Sequence, residues 1–191
     1  MATKNYQWRI PDMKPAERFK TALERQTKPD RIPHFELVFF LTMEVLGKVH
    51  PTQRNYAQWR QMSKTEQRLH IKDMAAIYVN TAQKFEHDAI FIHENPGEVE
   101  ILMQIVDEIK AMSGDDYFLM CHGDATFAIP DGGKMEEWSF RMIDEPEKVD
   151  AKLAQRVDDA IVRAEKIKTH GGMDAFALCS DYCFNSGPFL S

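Results

Sequence analysis

The chain has 191 residues, 43% apolar and 28% charged, enough for one domain with a sizeable core and no internal boundary over 1–191. A formal net charge of -6, with no basic run interleaved with aromatics, argues against a nucleic-acid surface. No apolar run reaches the length of a membrane span, "MATKNYQWRIPDMK" lacks the apolar core of a signal peptide, and three cysteines cannot all pair, so a reducing cytoplasm and free thiols are expected.

Residues 13–25, "MKPAERFKTALER", predict a leading helix with Phe19, Ala22 and Leu23 on one side. "KPDRIP" breaks it, because its two prolines exclude helix. "HFELVFF" is short, apolar and aromatic and predicts a first, buried strand. "SKTE" reads as a capping box with Ser63 as N-cap, opening a helix that runs to about Phe85 with Leu69, Ala75, Tyr78, Ala82 and Phe85 inward. "HDAIFIHE" predicts the second strand. Pro96 and Gly97 turn the chain into a helix that stops at Ser113 and Gly114. "YFLMCHGDA" predicts the third strand. Asp144 is placed to cap the next helix, with Glu147 in the capping-box position and Leu153, Val157, Ile161, Ala164 and Ile167 as its stripe. Gly171 and Gly172 stop it, and "MDAFALCSDY" predicts the fourth strand.

About four strands alternating with helices imply right-handed crossovers and a parallel sheet, either an open doubly wound sheet or a (β/α)8 barrel. No glycine-rich turn follows "HFELVFF", which argues against a dinucleotide-binding sheet. In parallel α/β folds the functional groups gather at the carboxyl ends of the strands. The four predicted strands carry His34 and Glu36, His93 and Glu94, His122 and Asp124, and Asp181. Such groups are costly to bury unpaired, so these residues are the candidates for one shared polar, substrate-binding site. Cys179 and Cys183 have a C-x3-C spacing, but in a continuous strand they would lie ~13 Å apart, too far for one ion; structural thiols are expected. The seven histidines include no HExxH and no H-x-x-x-H pair. His50, His70 and His87 are expected at the surface or at helix ends.

Four stretches carry a resemblance. "RFKTALERQTKPDRIPHFE" resembles the opening of the uroporphyrinogen decarboxylase superfamily, and "HDAIFIHEN" its second strand. "GDATFAIPDG" with "DEPEKVDAKL" is similar to its third strand, the following loop and the next helix; "DAFALCSDYCFNSGPFLS" resembles its fourth-strand motif. The resemblance implies a (β/α)8 barrel of about twice this length, so that this chain would be the N-terminal half of one, a partial barrel that self-associates or needs a complementary half. The true decarboxylases bind the carboxylates of their porphyrinogen through arginines after strand one. "HFELVFFLTMEVLGK" has no arginine, and only Glu94 could stand in for the aspartate that ends the family's second strand. The arginine-free first stretch looks more like the methyltransferase branch, whose members act on methylated corrinoid proteins. That likeness implies a methylated corrinoid protein as partner and a small-molecule methyl acceptor, a thiol or tetrahydrofolate. Zinc, in the coenzyme M type, would be held in the C-terminal half, and no metal ligand is expected within this chain. Porphyrinogen decarboxylation is the alternative activity. A half-barrel inactive without its partner is the other.

Overall fold

The computed structural model describes residues 13–126, 133–179, 183–184 and 187–188. Its architecture is α/β. Among the described residues β1 (Ala89–Ile92), β2 (Phe118–His122) and β3 (Ala175–Ala177) form one parallel sheet in that order. By its internal contacts the chain divides into two compact units, Met1–Met120 and Cys121–Ser191. No helix among the described residues is long and apolar enough to cross a membrane.

The first unit starts with α1 (Pro15–Glu24) and continues through α2 (Thr42–Leu46), two 3-10 turns, α3 (Lys64–Lys84), β1 and α4 (Val99–Ser113). The capping box that opens α3 is formed: the Ser63 hydroxyl accepts the Glu66 N–H, and the Glu66 carboxylate accepts the Ser63 N–H. Gly114 ends α4 at φ 59°, a left-handed conformation that a side chain would strain. Every residue of β1 is buried, and Met74, Ile92, Leu102, Ile105 and Ile109 are almost wholly excluded from solvent. Each such side chain contributes about 1.5–3 kcal/mol relative to exposure.

Two expected inward positions are exposed, Leu23 at 58% and Leu69 at 61%. In α1 the reason is Arg18, which is 2% exposed. Turning that guanidinium inward centres the buried face on Pro15, Arg18 and Ala22, and at about 100° per residue Leu23 swings out of it. Arg18 is buried because it has acidic partners. Its Nε donates to Asp30 and its NH1 to Asp88. Arg31 donates to both oxygens of Asp88, at 2.7 and 3.0 Å. Asp88 is fully buried.

"HFELVFF" is not a ladder strand. Pro33 has no N–H to donate, and the N–H of His34 goes to the Asp88 carboxylate (2.9 Å) instead of a strand carbonyl. One backbone bond remains, from the Asp88 N–H to the His34 oxygen at 2.8 Å. The aromatic residues still pack: Phe35 meets Phe19 and Phe91, and Phe39 meets Phe85.

The second unit contains α5 (Gly133–Asp144), α6 (Pro146–His170), β3 and a short antiparallel pair, β4 (Cys183–Phe184) and β5 (Gly187–Pro188). The helix α5 has no counterpart in the sequence reading. It takes Asp144 as its last residue, so Glu145 becomes the N-cap of α6, without a side-chain cap bond, and Pro146 opens the helix. Ile167 of the expected α6 stripe is buried, while Val157 and Ile161 are about half exposed. The fourth predicted strand, 173–182, is shorter than expected: among its described residues β3 covers only Ala175–Ala177, and Cys183, beyond it, belongs to the β4–β5 pair.

Candidate functional site

The carboxyl ends of β2 and β3 carry the candidate site, and all of it lies in the second unit. Gly123 follows β2 and donates its N–H to the Ala177 oxygen at 3.1 Å, one bond beyond the strand. Only glycine fits there, because a Cβ at 123 would overlap the Cβ of Phe176 and stand 2.9 Å from its Cγ. The close approach brings the two strand-end loops together. Asp124 then joins them. Its Oδ1 accepts the Thr126 N–H at 3.1 Å, a local turn bond. Its Oδ2 accepts the Cys179 N–H at 3.2 Å, and the Thr126 hydroxyl donates to the Cys179 carbonyl at 3.1 Å. Two arginines of α6 fasten the β2 side: Arg163 donates to the His122 carbonyl at 2.8 Å and Arg156 to the Thr126 carbonyl.

His122 Nδ1 lies 3.5 Å from Asp124 Oδ2. One ligand atom each from His122, Asp124 and Cys179 lies within 4.8 Å of the others. The His122 side chain is 38% exposed and that of Asp124 18%, so the cluster is open to solvent on one side. Burial pushes the Asp124 carboxyl up, but the hydrogen bonds from Thr126 and the Cys179 N–H, with a smaller effect of His122, outweigh it and bring it down to about 2. The carboxylate is therefore ionised and fixed. An imidazole, a carboxylate and a thiol at this spacing can hydrogen-bond a ligand, move a proton, or together ligate a cation.

The other candidates are placed differently. His34 pairs with Asp88, the residue before β1, whereas His93 follows the end of β1. The two are thus at opposite ends of one strand and do not share a site. The ring Nε2–H of His34 donates to the Phe85 carbonyl at 3.0 Å, and its Nδ1 faces Arg31, which makes it a clasp between the "DRIP" turn and the end of α3. Glu36 is exposed beside a cavity of about 20 Å³ lined by His50, Tyr78 and His87. His93 donates its N–H to the Tyr78 hydroxyl (3.1 Å) and its Nε2–H to the Leu37 carbonyl (2.6 Å). Glu94 is half-buried in the turn after β1. Asp181 lies outside the described residues.

His50, expected at the surface or at a helix end, is the N-cap of the 3-10 turn Pro51–Gln53, and both it and His87 are buried, at 4% and 5% exposure. His50 is accommodated because its Nδ1 accepts the Thr52 N–H at 3.2 Å. Burial, then His93 and Arg54, lower it from 6.5 to about 4. His87 packs against Phe39, Phe85 and His34, and burial followed by the charge of His34 lowers it too, against the opposing pull of Glu36 and Asp88.

Cys179 is the site residue that the sequence reading set aside. A signal was there: Asp124 is two residues beyond the end of β2, and Cys179 two beyond the end of β3, so neighbouring parallel strands present them in matching positions. Among the described residues two cavities of about 570 and 550 Å³ lie in the first unit around Trp59 and the start of α3 and include none of the seven candidates. No family model, curated protein or solved structure matches this chain.

Proposed function

We propose that the chain is part of a (β/α)8 barrel of the uroporphyrinogen decarboxylase-like kind, and that the complete enzyme takes a methyl group from a methylated corrinoid protein to a small acceptor such as a thiol. The observation that carries this reading is the polar cluster at the carboxyl ends of two adjacent parallel strands, the end at which such barrels do their chemistry. Support comes from the first unit, where the stretches that carry the resemblance meet in one buried network: Arg18 from "RFKT", Asp30 and Arg31 from "PDRIP", and Asp88 from "HDAIF".

In this reading the methyl group leaves the cobalt of the corrinoid with its bonding electrons remaining on the metal, and the acceptor thiol gives up its proton. Asp124, ionised and held by two backbone N–H groups, accepts a hydrogen bond from the acceptor and orients it. His122, 3.5 Å away, takes the proton, a role for which imidazole is suited near neutral pH. The corrinoid-free alternative, decarboxylation, needs free cations for the substrate's carboxylates. Arg31, the nearest arginine to the first stretch, is spent on Asp88 and the Glu86 carbonyl. The test is demethylation of methylcobalamin by the full-length protein with a thiol acceptor, followed by the cobalamin spectrum. Thiol-dependent loss of the methyl form supports the reading; conversion of uroporphyrinogen to coproporphyrinogen instead refutes it.

A further inference from the structure

The geometry points to a divalent zinc-class ion held by His122, Asp124 and Cys179 with a fourth position open. This rests on the three side chains alone and not on the methyl-transfer reading: it describes a metal-loaded state of the same cluster, in which His122 and Asp124 ligate the ion, whereas the proton transfer proposed for His122 belongs to the ion-free state. A four-coordinate ion with ligands at about 2.0–2.3 Å brings its donors to roughly 3.3–3.8 Å from one another. His122 Nδ1 and Asp124 Oδ2 are already 3.5 Å apart, and the whole set lies within 4.8 Å. The widest separation in the set thus exceeds the tetrahedral spacing by at most about 1 Å.

The backbone is held at the required spacing. The Gly123–Ala177, Asp124–Cys179 and Thr126–Cys179 bonds join the two loops on both sides of the thiol. The surroundings of Asp124 also suit a ligand. Its Oδ1 is occupied by the Thr126 N–H, which fixes the carboxylate plane, while Oδ2 spends one lone pair on the Cys179 N–H and keeps another for a cation. The donor set selects the ion: an imidazole and a thiolate disfavour calcium and magnesium and suit zinc. Three protein ligands with one open position is the arrangement of zinc sites that bind a substrate or water, whereas structural sites close with four. The exposure of His122 leaves that position accessible, to water or to a thiolate or carboxylate of a small molecule.

The experiment titrates the chelator-treated 191-residue chain with Zn²⁺ by calorimetry and with Co²⁺ by absorption. The expected result is one ion per chain and a thiolate-to-cobalt charge-transfer band. Cys179→Ser abolishes the band, and His122→Ala and Asp124→Asn each weaken zinc binding by about tenfold or more. Asp124→Asn retains a side-chain oxygen for the Cys179 N–H, and far-UV circular dichroism verifies its fold. Cys121→Ala leaves the band unchanged. A readout without variants is alkylation of Cys179 in the wild-type chain, which bound zinc must slow. Absence of the band in the wild type, its survival in Cys179→Ser, or alkylation of Cys179 unaffected by zinc would each overturn the assignment.

Discussion

Replacing Asp88 by alanine removes the centre of the buried ionic network. Asp88 is fully buried and its carboxylate accepts from Arg18, twice from Arg31, and from the His34 N–H. Without it Arg18, itself 2% exposed, keeps only Asp30 and the Met13 carbonyl, and Arg31 loses its carboxylate and keeps only the neutral acceptors His34 Nδ1 and the Ile32 and Glu86 carbonyls. Removing one partner of a buried pair costs about 3–5 kcal/mol, because the remaining charge stays desolvated. With a urea dependence of about 2 kcal/mol per molar, the unfolding midpoint falls by about 1.5–2.5 M, a large part of a typical domain's stability. Asp88→Asn, which keeps one carbonyl acceptor, should fall between the two. The control is Asp115, whose side chain is 92% exposed; its alanine variant should unfold with the wild type. Urea titration followed by tryptophan fluorescence and circular dichroism reads all three. An Asp88→Ala midpoint indistinguishable from that of Asp115→Ala would refute the argument that this network holds α1, the "DRIP" turn and β1 together.

Acidification should destabilise the chain in two stages. His50 is lowered from 6.5 to about 4, so the unfolded chain binds a proton first, and its contribution is complete above pH 6.5 and lost as the pH falls towards 4. Asp30 is lowered well below the carboxylate range, chiefly by Arg18 against the cost of burial, so its contribution holds above about pH 4 and is lost below that. Urea midpoints from pH 8 to 3 check both, and His50→Asn should flatten the slope between pH 6.5 and 4 in part, with His87 supplying the remainder. Gly123→Ala should lower stability by about 1–3 kcal/mol through overpacking against Phe176 and should weaken zinc binding with it; an unchanged midpoint contradicts the close approach. Ser63→Ala should cost about 1 kcal/mol through loss of the α3 cap, measured by thermal unfolding. Phe140 and Ile143 of α5 are 57% and 76% exposed and Val157 and Ile161 of α6 about half exposed, and apolar surface left in water promotes association where it is contiguous. Sedimentation of this chain should show species larger than a monomer, and a single monomeric boundary would contradict that.

The helices were legible where their ends carry chemistry. Ser63 and Glu66 marked α3 to the residue, and Ser113–Gly114 marked the end of α4. The strands β1 and β2 were legible as short apolar runs between turns. "HFELVFF" has the same composition and failed as a strand because Asp88, remote in sequence, takes the N–H of His34. Composition cannot see that competition. Arg18 shows the same limit, since its acidic partner Asp88 is 70 positions away, and a charged residue on a helix is read as solvated by default. Two of the three site residues, His122 and Asp124, were visible as neighbours on one face at the end of a strand. Cys179 was missed because the fourth strand was extended too far. Once β3 ends at Ala177, the thiol falls in the loop beside Asp124, and its relation to Cys183 no longer decides its role.

The measurement that bears most directly on the proposed function is the rate of thiol-dependent demethylation of a methylated corrinoid by the full-length protein and by its His122→Ala variant. The account predicts a wild-type activity that His122→Ala lowers by about 10²–10⁴-fold, the span of a lost proton acceptor, with the urea midpoint of the variant preserved. A protein that leaves the methylated corrinoid unchanged under these conditions, or a His122→Ala variant as active as the wild type, would contradict it.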